Sequence, residues 1–215
     1  MAVIHHTTLK PTKLELLTSW LPTRPWYAGA GAPRLHKSGG FRLDDPAGEV
    51  GIEFMVATDE VGAVSYLVPL TYRGAPLDGA EHALVGTMEH GVLGPRWAYD
   101  GCHDPVLVGQ LWALIEGRAE AQAQSLTDVV DREVTRSYGG PGLGAHGPTA
   151  VSEDSEGTWL TAPDGTTLLL HRVLRPAPHG VPEGAIGHVG GAWQVPDGPR
   201  VHGLFASLYA HGTAP

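Results

Sequence analysis

Between positions 89 and 104 the chain gathers Glu89, His90, Arg96, Tyr99, Asp100, His103 and Asp104. Histidines beside carboxylates can exchange protons as an acid–base pair or hold a zinc ion. The spacing of the Glu-His and His-Asp pairs matches no established ligand set, so no metal and no cofactor is assigned. Three readings stay open. The structural one has Asp104 capping a helix and Arg96 paired with Asp100 or Glu89; the others are a small-molecule or catalytic site and a metal site. Trp159 and Trp193 add aromatic faces that could stack on a sugar ring or fill a core. The candidate ligand-binding residues are therefore Glu89, His90, Arg96, Tyr99, Asp100, His103, Trp159 and Trp193, and no residue is assigned as catalytic.

Other nucleophile signals are weaker. Cys102 lies between Gly101 and His103 and would react only if its pKa were lowered; a lone cysteine also fits a buried, inert thiol. No serine sits in a Gly-x-Ser-x-Gly turn. The twelve histidines are spread along the chain, and most read as loop residues.

The elements that must carry these residues are marked by local signals. Thr12-Lys13-Leu14-Glu15 is a capping box, and the helix it opens carries Leu14, Leu16, Leu17, Trp20 and Leu21 before Pro22 stops it. In the lead-in segment WLPTRPWYAGAG (residues 20–31), Trp26 and Tyr27 are expected to pack beneath Trp20. The Gly-x-Gly there follows a helix and precedes none, so it is not a dinucleotide loop. Residues 50–73 predict two strands about the turn 59–62, with Val50, Ile52, Phe54 and Val56 on the face opposite Glu53. Residues 83–99 continue as extended chain broken by glycine. Asp104-Pro105 predicts an N-cap and first-turn proline, opening a long helix to about 136 through Leu107, Leu111, Leu114, Ile115, Leu126, Val129 and Val130, with Gly117 and Ser125 as candidate interruptions. Pro-Asp-Gly at 163–165 and 196–198, each between apolar runs, predicts two hairpins.

Composition bounds the partners. The 215 residues carry a formal charge of −9 without a basic run, which excludes nucleic acid and anionic membranes as electrostatic partners. No apolar run is long enough to span a bilayer, and the first residues lack the order of a signal peptide. The single cysteine fits a reducing cytoplasm, where the chain is expected to reside. Thirty glycines and eighteen prolines imply many turns and short elements.

Trp20-Leu21-Pro22-Thr23-Arg24-Pro25-Trp26-Tyr27-Ala28-Gly29 resembles the opening of bacterial maltokinases, which begin with an N-terminal cap domain. The stretch RWAYDGCHDP at 96–105, followed by an apolar helix, looks like that family's tyrosine-aspartate segment. The resemblance covers residues 12–136 and implies a free-standing relative of the cap. It also implies an α+β fold, cap-like and kinase N-lobe-like, with mostly antiparallel sheets packed with a few helices. The expected division is a cap-like subdomain over 1–94, an intermediate segment with the long helix over 95–136, a Gly/Pro-rich linker over 137–157 and a small antiparallel N-lobe-like unit over 158–215.

The family's kinase machinery is not matched. None of the His-Gly pairs is followed by aspartate, and no lysine follows Lys37. If TTLLLHRVLR is the strand on which kinase-like lobes carry their phosphate-binding lysine, His171 or Arg172 stands there instead. Residues 166–215 hold only Glu183 and Asp197, too few carboxylates to hold magnesium and orient a nucleophile. The expectation is a non-catalytic binding or regulatory module of α-glucan, maltose or trehalose metabolism. Its partners would be a sugar or oligosaccharide, another protein, or a second copy as a homodimer. The alternatives are a small sugar-directed enzyme using the Glu89–Asp104 cluster and the N-lobe half of a split sugar kinase.

Overall fold

A computed structural model describes residues 9–124, 129–140, 150–177 and 182–213. The first half holds helix α1 (Lys13–Trp20) and strands β1 (Leu9–Lys10), β2 (Leu35–Leu43), β3 (Gly51–Asp59), β4 (Val64–Arg73), β5 (Leu84–His90) and β6 (Gly94–Asp100). After helix α2 (Pro105–Glu116) come β7 (Gln122–Ala123), β8 (Thr135–Tyr138), β9 (Ala150–Glu153), β10 (Thr158–Thr161), β11 (Thr167–Leu170), β12 (Val173–Leu174), β13 (Ala185–Gln194) and β14 (Arg200–Tyr209). These strands form one sheet in the order β1-β5-β6-β4-β3-β2-β13-β14-β11-β10-β9, with β12 beside β4, β7 beside β2 and β8 beside β13.

The α+β expectation is overturned. Among the described residues there are fourteen strands, all in antiparallel pairings, and only two α-helices. The molecule is a large sheet sandwich. Much of the difference lies in the long helix, which ends at Glu116 instead of near 136. Gly117 adopts φ 79°, and its N–H bonds back to Ala113 and Leu114, closing the helix with a left-handed cap. The apolar spacing beyond it was misleading: Val129 and Val130 are 42% and 41% exposed, while Leu126 lies outside the described residues. In the expected 137–157 linker, β8 and β9 flank residues 141–149, which also lie outside the described residues.

The start of α2 follows its local signal. Asp104 accepts from the Val106 N–H at 3.0 Å, Pro105 occupies the first turn, and Arg73 grips both Asp104 oxygens at 2.6 and 2.7 Å. The helix is apolar on nearly every side because it is enclosed: Leu107, Val108, Leu111, Trp112 and Ile115 join one core with Phe41 and Phe54 of the first half and Trp193 and Phe205 of the second.

Alternation in β3 explains a second feature. Ile52, Phe54 and Val56 enter that core, as the sequence pattern predicts, but the opposite face is not solvent. Met55 and Ala57 pack there with Leu17 and Trp20 of α1, together with Leu21, Trp26, Tyr66 and Val68. Trp20 and Trp26 meet edge to face at 5.8 Å, so the tryptophan-rich lead-in clamps α1 to the sheet. No helix among the described residues is long and apolar enough to cross a membrane.

Candidate functional site

The structure splits the 89–104 cluster. Glu89 and His90 lie at the far end of the β5–β6 hairpin, with Arg96 partway along β6; Asp100 and His103 lie at its base. Asp100 lies six residue steps along β6 from Gly94, roughly 20 Å of extended chain. Glu89 stands in register opposite Lys10, not beside a histidine of the Asp100 end. Tyr99 is buried, and its hydroxyl accepts the Leu77 N–H at 2.9 Å. Arg96 donates to its neighbour's carbonyl, Pro95 O, at 3.4 Å rather than pairing with Asp100 or Glu89.

Around Asp100 the structure builds a network that no local signal marks. Arg172, fully buried, donates from Nη2 to Asp100 Oδ2 at 2.5 Å and from Nε to Thr158 Oγ1 at 2.7 Å. Its Nη2 also reaches Cys102 Sγ at 3.4 Å and Glu153 Oε1 at 3.7 Å, and the guanidinium lies 4.9 Å from the Trp26 ring centre. Trp26 Nε1 donates to the same Glu153 oxygen at 2.9 Å, and Arg24 approaches the other at 3.5 Å. Asp100 also accepts the Cys102 N–H, at 3.1 Å. Burial works against the charge of Arg172, but Asp100 and Glu153 outweigh it and raise its pKa further. Burial pushes the Cys102 thiol well up, so it is a closed-off thiol and not a nucleophile. The expected strand TTLLLHRVLR breaks at His171 and Arg172, between β11 and β12, and Arg172 is sealed inside an ion-pair network with no open face for phosphates. Among these buried groups only Arg172 Nη1 lacks a hydrogen-bond partner.

Three further constellations depend on strand pairing. Beside Asp100, His103 Nδ1 faces His82 Nε2 at 3.1 Å, the rings perpendicular. Burial lowers the His103 pKa. Across β2, β3 and β4, Ser38 Oγ lies 2.9 Å from His36 Nε2, whose Nδ1 is 3.7 Å from Glu60. This has the order of nucleophile, base and orienting acid. But Ser38 is buried and donates to Thr58 at 2.6 Å, Thr58 meets Ser65 at 2.8 Å, and Arg34 holds Glu60 at 2.9 Å. It is a hydroxyl ladder across three strands.

The third is centred on Glu53, which α1 buries to 4% exposure. Lys13 and Tyr72 Oη bind its Oε2, Tyr72 at 2.7 Å, while Lys37 and Gln124 approach Oε1 at 3.4 and 3.1 Å. Burial would raise the Glu53 pKa, but Lys13 and Lys37 prevail and hold it at about 2.

The two tryptophans part company. Trp193 is completely buried, 6.1 Å from the Phe205 ring, and presents no face to a ligand. Trp159 is half-buried on β10, its indole N–H donating to Asp154 at 2.8 Å.

His171 yields a pH prediction. Burial pushes its pKa down to about 4 from the usual 6.5, with Nε2 2.8 Å from Ser207 Oγ. The unfolded chain therefore takes up the proton first. The His171 contribution is whole above pH 6.5 and is lost as pH falls through 6.5 towards 4, by roughly 1.4 kcal/mol per pH unit. Glu53 acts in a lower window, its contribution lost as pH falls from 4.5 towards 2. Urea unfolding at pH 7, 5.5 and 4.5 should show a steep loss for the native chain and a flatter one for His171→Gln. Parallel curves for the two proteins would refute it.

Residues 20–104 match the family model of the maltokinase N-terminal cap domain, about two fifths of the chain. The match begins at Trp20, the first residue of the tryptophan-rich lead-in, and ends at Asp104, the N-cap of α2. It therefore takes in β2 to β6 and both Trp26 and Asp100 of the buried network. No curated protein matches the chain.

Proposed function

We propose that this chain, with a maltokinase N-terminal cap domain over residues 20–104, is a non-catalytic cap-like protein that serves α-glucan, maltose or trehalose metabolism as a binding or regulatory module. The observation that carries the reading is the cap match itself, whose edges coincide with the lead-in and the α2 cap. The chemistry-bearing residues inside the match support it. Asp100 is held by Arg172, Asp104 by Arg73 and the helix start, and Tyr99 by the chain at Leu77. These are the contacts of a scaffold. The ligand is a sugar or oligosaccharide, with Trp159 the aromatic face available for stacking, and the module works beside a protein partner in the cytoplasm.

The test is thermal unfolding of the full chain with maltose, maltooligosaccharides, trehalose, glucosamine or ATP–magnesium. A ligand at a hundred times its Kd stabilises by about 2.7 kcal/mol, and each kcal/mol raises the midpoint of a chain this size by roughly 2–4 °C. A sugar should therefore raise the midpoint by about 5–10 °C, and ATP–magnesium should not. A rise with ATP–magnesium, or sugar turnover that His103→Ala abolishes, would replace the binding reading with an enzymatic one.

A further inference from the structure

The chain contains only three lysines, Lys10, Lys13 and Lys37, and all three line one groove. The groove is open to solvent and offers about 800 Å³ beside the start of α1, with Leu14, Met55 and Glu15 among its lining residues. That volume lies within the range of small-molecule sites. Two of the lysines have a structural reason to be present: they neutralise the buried Glu53 beneath them. This explains neither the third lysine nor the open space. Lys10 is exposed and makes no ion pair among the described residues, although Glu89 stands opposite it across the β1–β5 pairing.

We propose that this groove binds a small organic phosphate, a phosphomonoester whose terminal oxygens are held by Lys10, Lys13 and Lys37. Three ammonium groups meet the carboxylates of Glu53 and Glu15, with Glu89 in register opposite Lys10, so that every lysine of a chain whose formal charge is −9 is gathered in one groove. Ammonium groups hold anions as point charges do, and Lys10, which makes no ion pair among the described residues, is the one not already engaged by a carboxylate. Lys13 and Lys37 take different oxygens of the one Glu53 carboxylate, so that carboxylate holds both ammonium groups beside it. Each retains further N–H donors for a ligand. The α1 amides are not the anion holders, because Thr12 and Glu15 already close the capping box. A phosphomonoester has three terminal oxygens for three ammonium groups, and the apolar lining suits its carbon body. Among the described residues a neutral sugar meets no aromatic platform in the groove, so the assignment goes beyond the carbohydrate reading and does not depend on it.

The experiment is calorimetric titration of the full chain with glycerol phosphate, a hexose phosphate, inorganic phosphate, sulfate and glucose, at low and at physiological salt. The phosphomonoesters should bind, more weakly as salt rises, and more tightly than sulfate; glucose should not bind at this groove. Lys10→Ala should weaken phosphomonoester binding roughly tenfold, the order expected for one charge-assisted contact, without moving the unliganded unfolding midpoint. Lys37→Met should weaken it too, and because that change also touches Glu53, Lys10→Ala is the decisive variant. Failure of every phosphate compound to bind would overturn the proposal, as would binding unchanged by Lys10→Ala or equal affinity for sulfate. A glucose response retained in Lys10→Ala would speak to the carbohydrate reading alone.

Discussion

Arg172→Met should destabilise the fold by about 3–5 kcal/mol, seen as a lowered urea midpoint with an unchanged slope. Methionine fills much of the volume but leaves Asp100, 1% exposed, without the guanidinium that meets it at 2.5 Å. An unpaired buried charge is costly because the interior cannot replace its lost hydration. The second half of the test is Asp100→Asn in the same chain. If the cost lies in the stranded carboxylate, the double variant is less destabilised than the two single losses added together, and the coupling measures the pair. A loss under about 1 kcal/mol for Arg172→Met would mean that water or chain movement relieves Asp100, against the sealed geometry. The network also joins the two ends of the chain. Trp26 and Asp100 come from the cap match, while Glu153, Thr158 and Arg172 come from beyond it. Breaking it should therefore loosen residues 20–104 from the rest of the sheet, not one element alone.

Trp193→Ala should cost about 3–5 kcal/mol, the range for deleting a large aromatic from a packed core. Trp193 has 0% exposure and lies where β13 pairs with β2, in register with Gly39. A side chain at Gly203 would come within 2.8 Å of the Trp193 ring, so that glycine leaves space the indole fills, while one at Gly39 would crowd the Trp193 backbone and Cβ at 3.2 Å. Trp159→Ala, half-buried and outside the central core, should cost well under half as much. Sugar binding then separates their roles. Loss of a sugar response in Trp159→Ala with a folded, near-native protein supports stacking at that face. A mild stability effect for Trp193→Ala would show that the second half of the sandwich tolerates a void at its centre.

Several elements were legible because their signals span only a few residues. Thr12 and Glu15 form the expected capping box, Asp104-Pro105 starts α2, and both Pro-Asp-Gly turns lie between paired strands, β10–β11 and β13–β14. Hydrogen bonds and dihedral preferences at such sites are set by immediate neighbours. The long helix ran too far because the apolar spacing beyond Gly117 imitates a helical face; Gly117, one of its two candidate interruptions, is the left-handed cap that ends it, and periodicity alone does not choose between break and continuation. The α+β class failed with it, and a chain expected to pack helices on sheets proved to be mostly sheet.

What the sequence by itself determined is therefore local: helix starts, hairpin turns, the alternating strand face that enters the main core, and the motif at 20–29 that lies within the cap match. What the tertiary structure decided is which polar residues meet. Arg172 finds Asp100 across 72 positions and Lys13 finds Glu53 across 40, and neither spacing carries a signal along the chain. Glu53 reads as a solvent-facing residue until α1 covers its side of β3, and only then does it need two lysines. Burial is the reason. A charge's partner is dictated by the water it has lost, and that loss exists only once distant strands have closed around it.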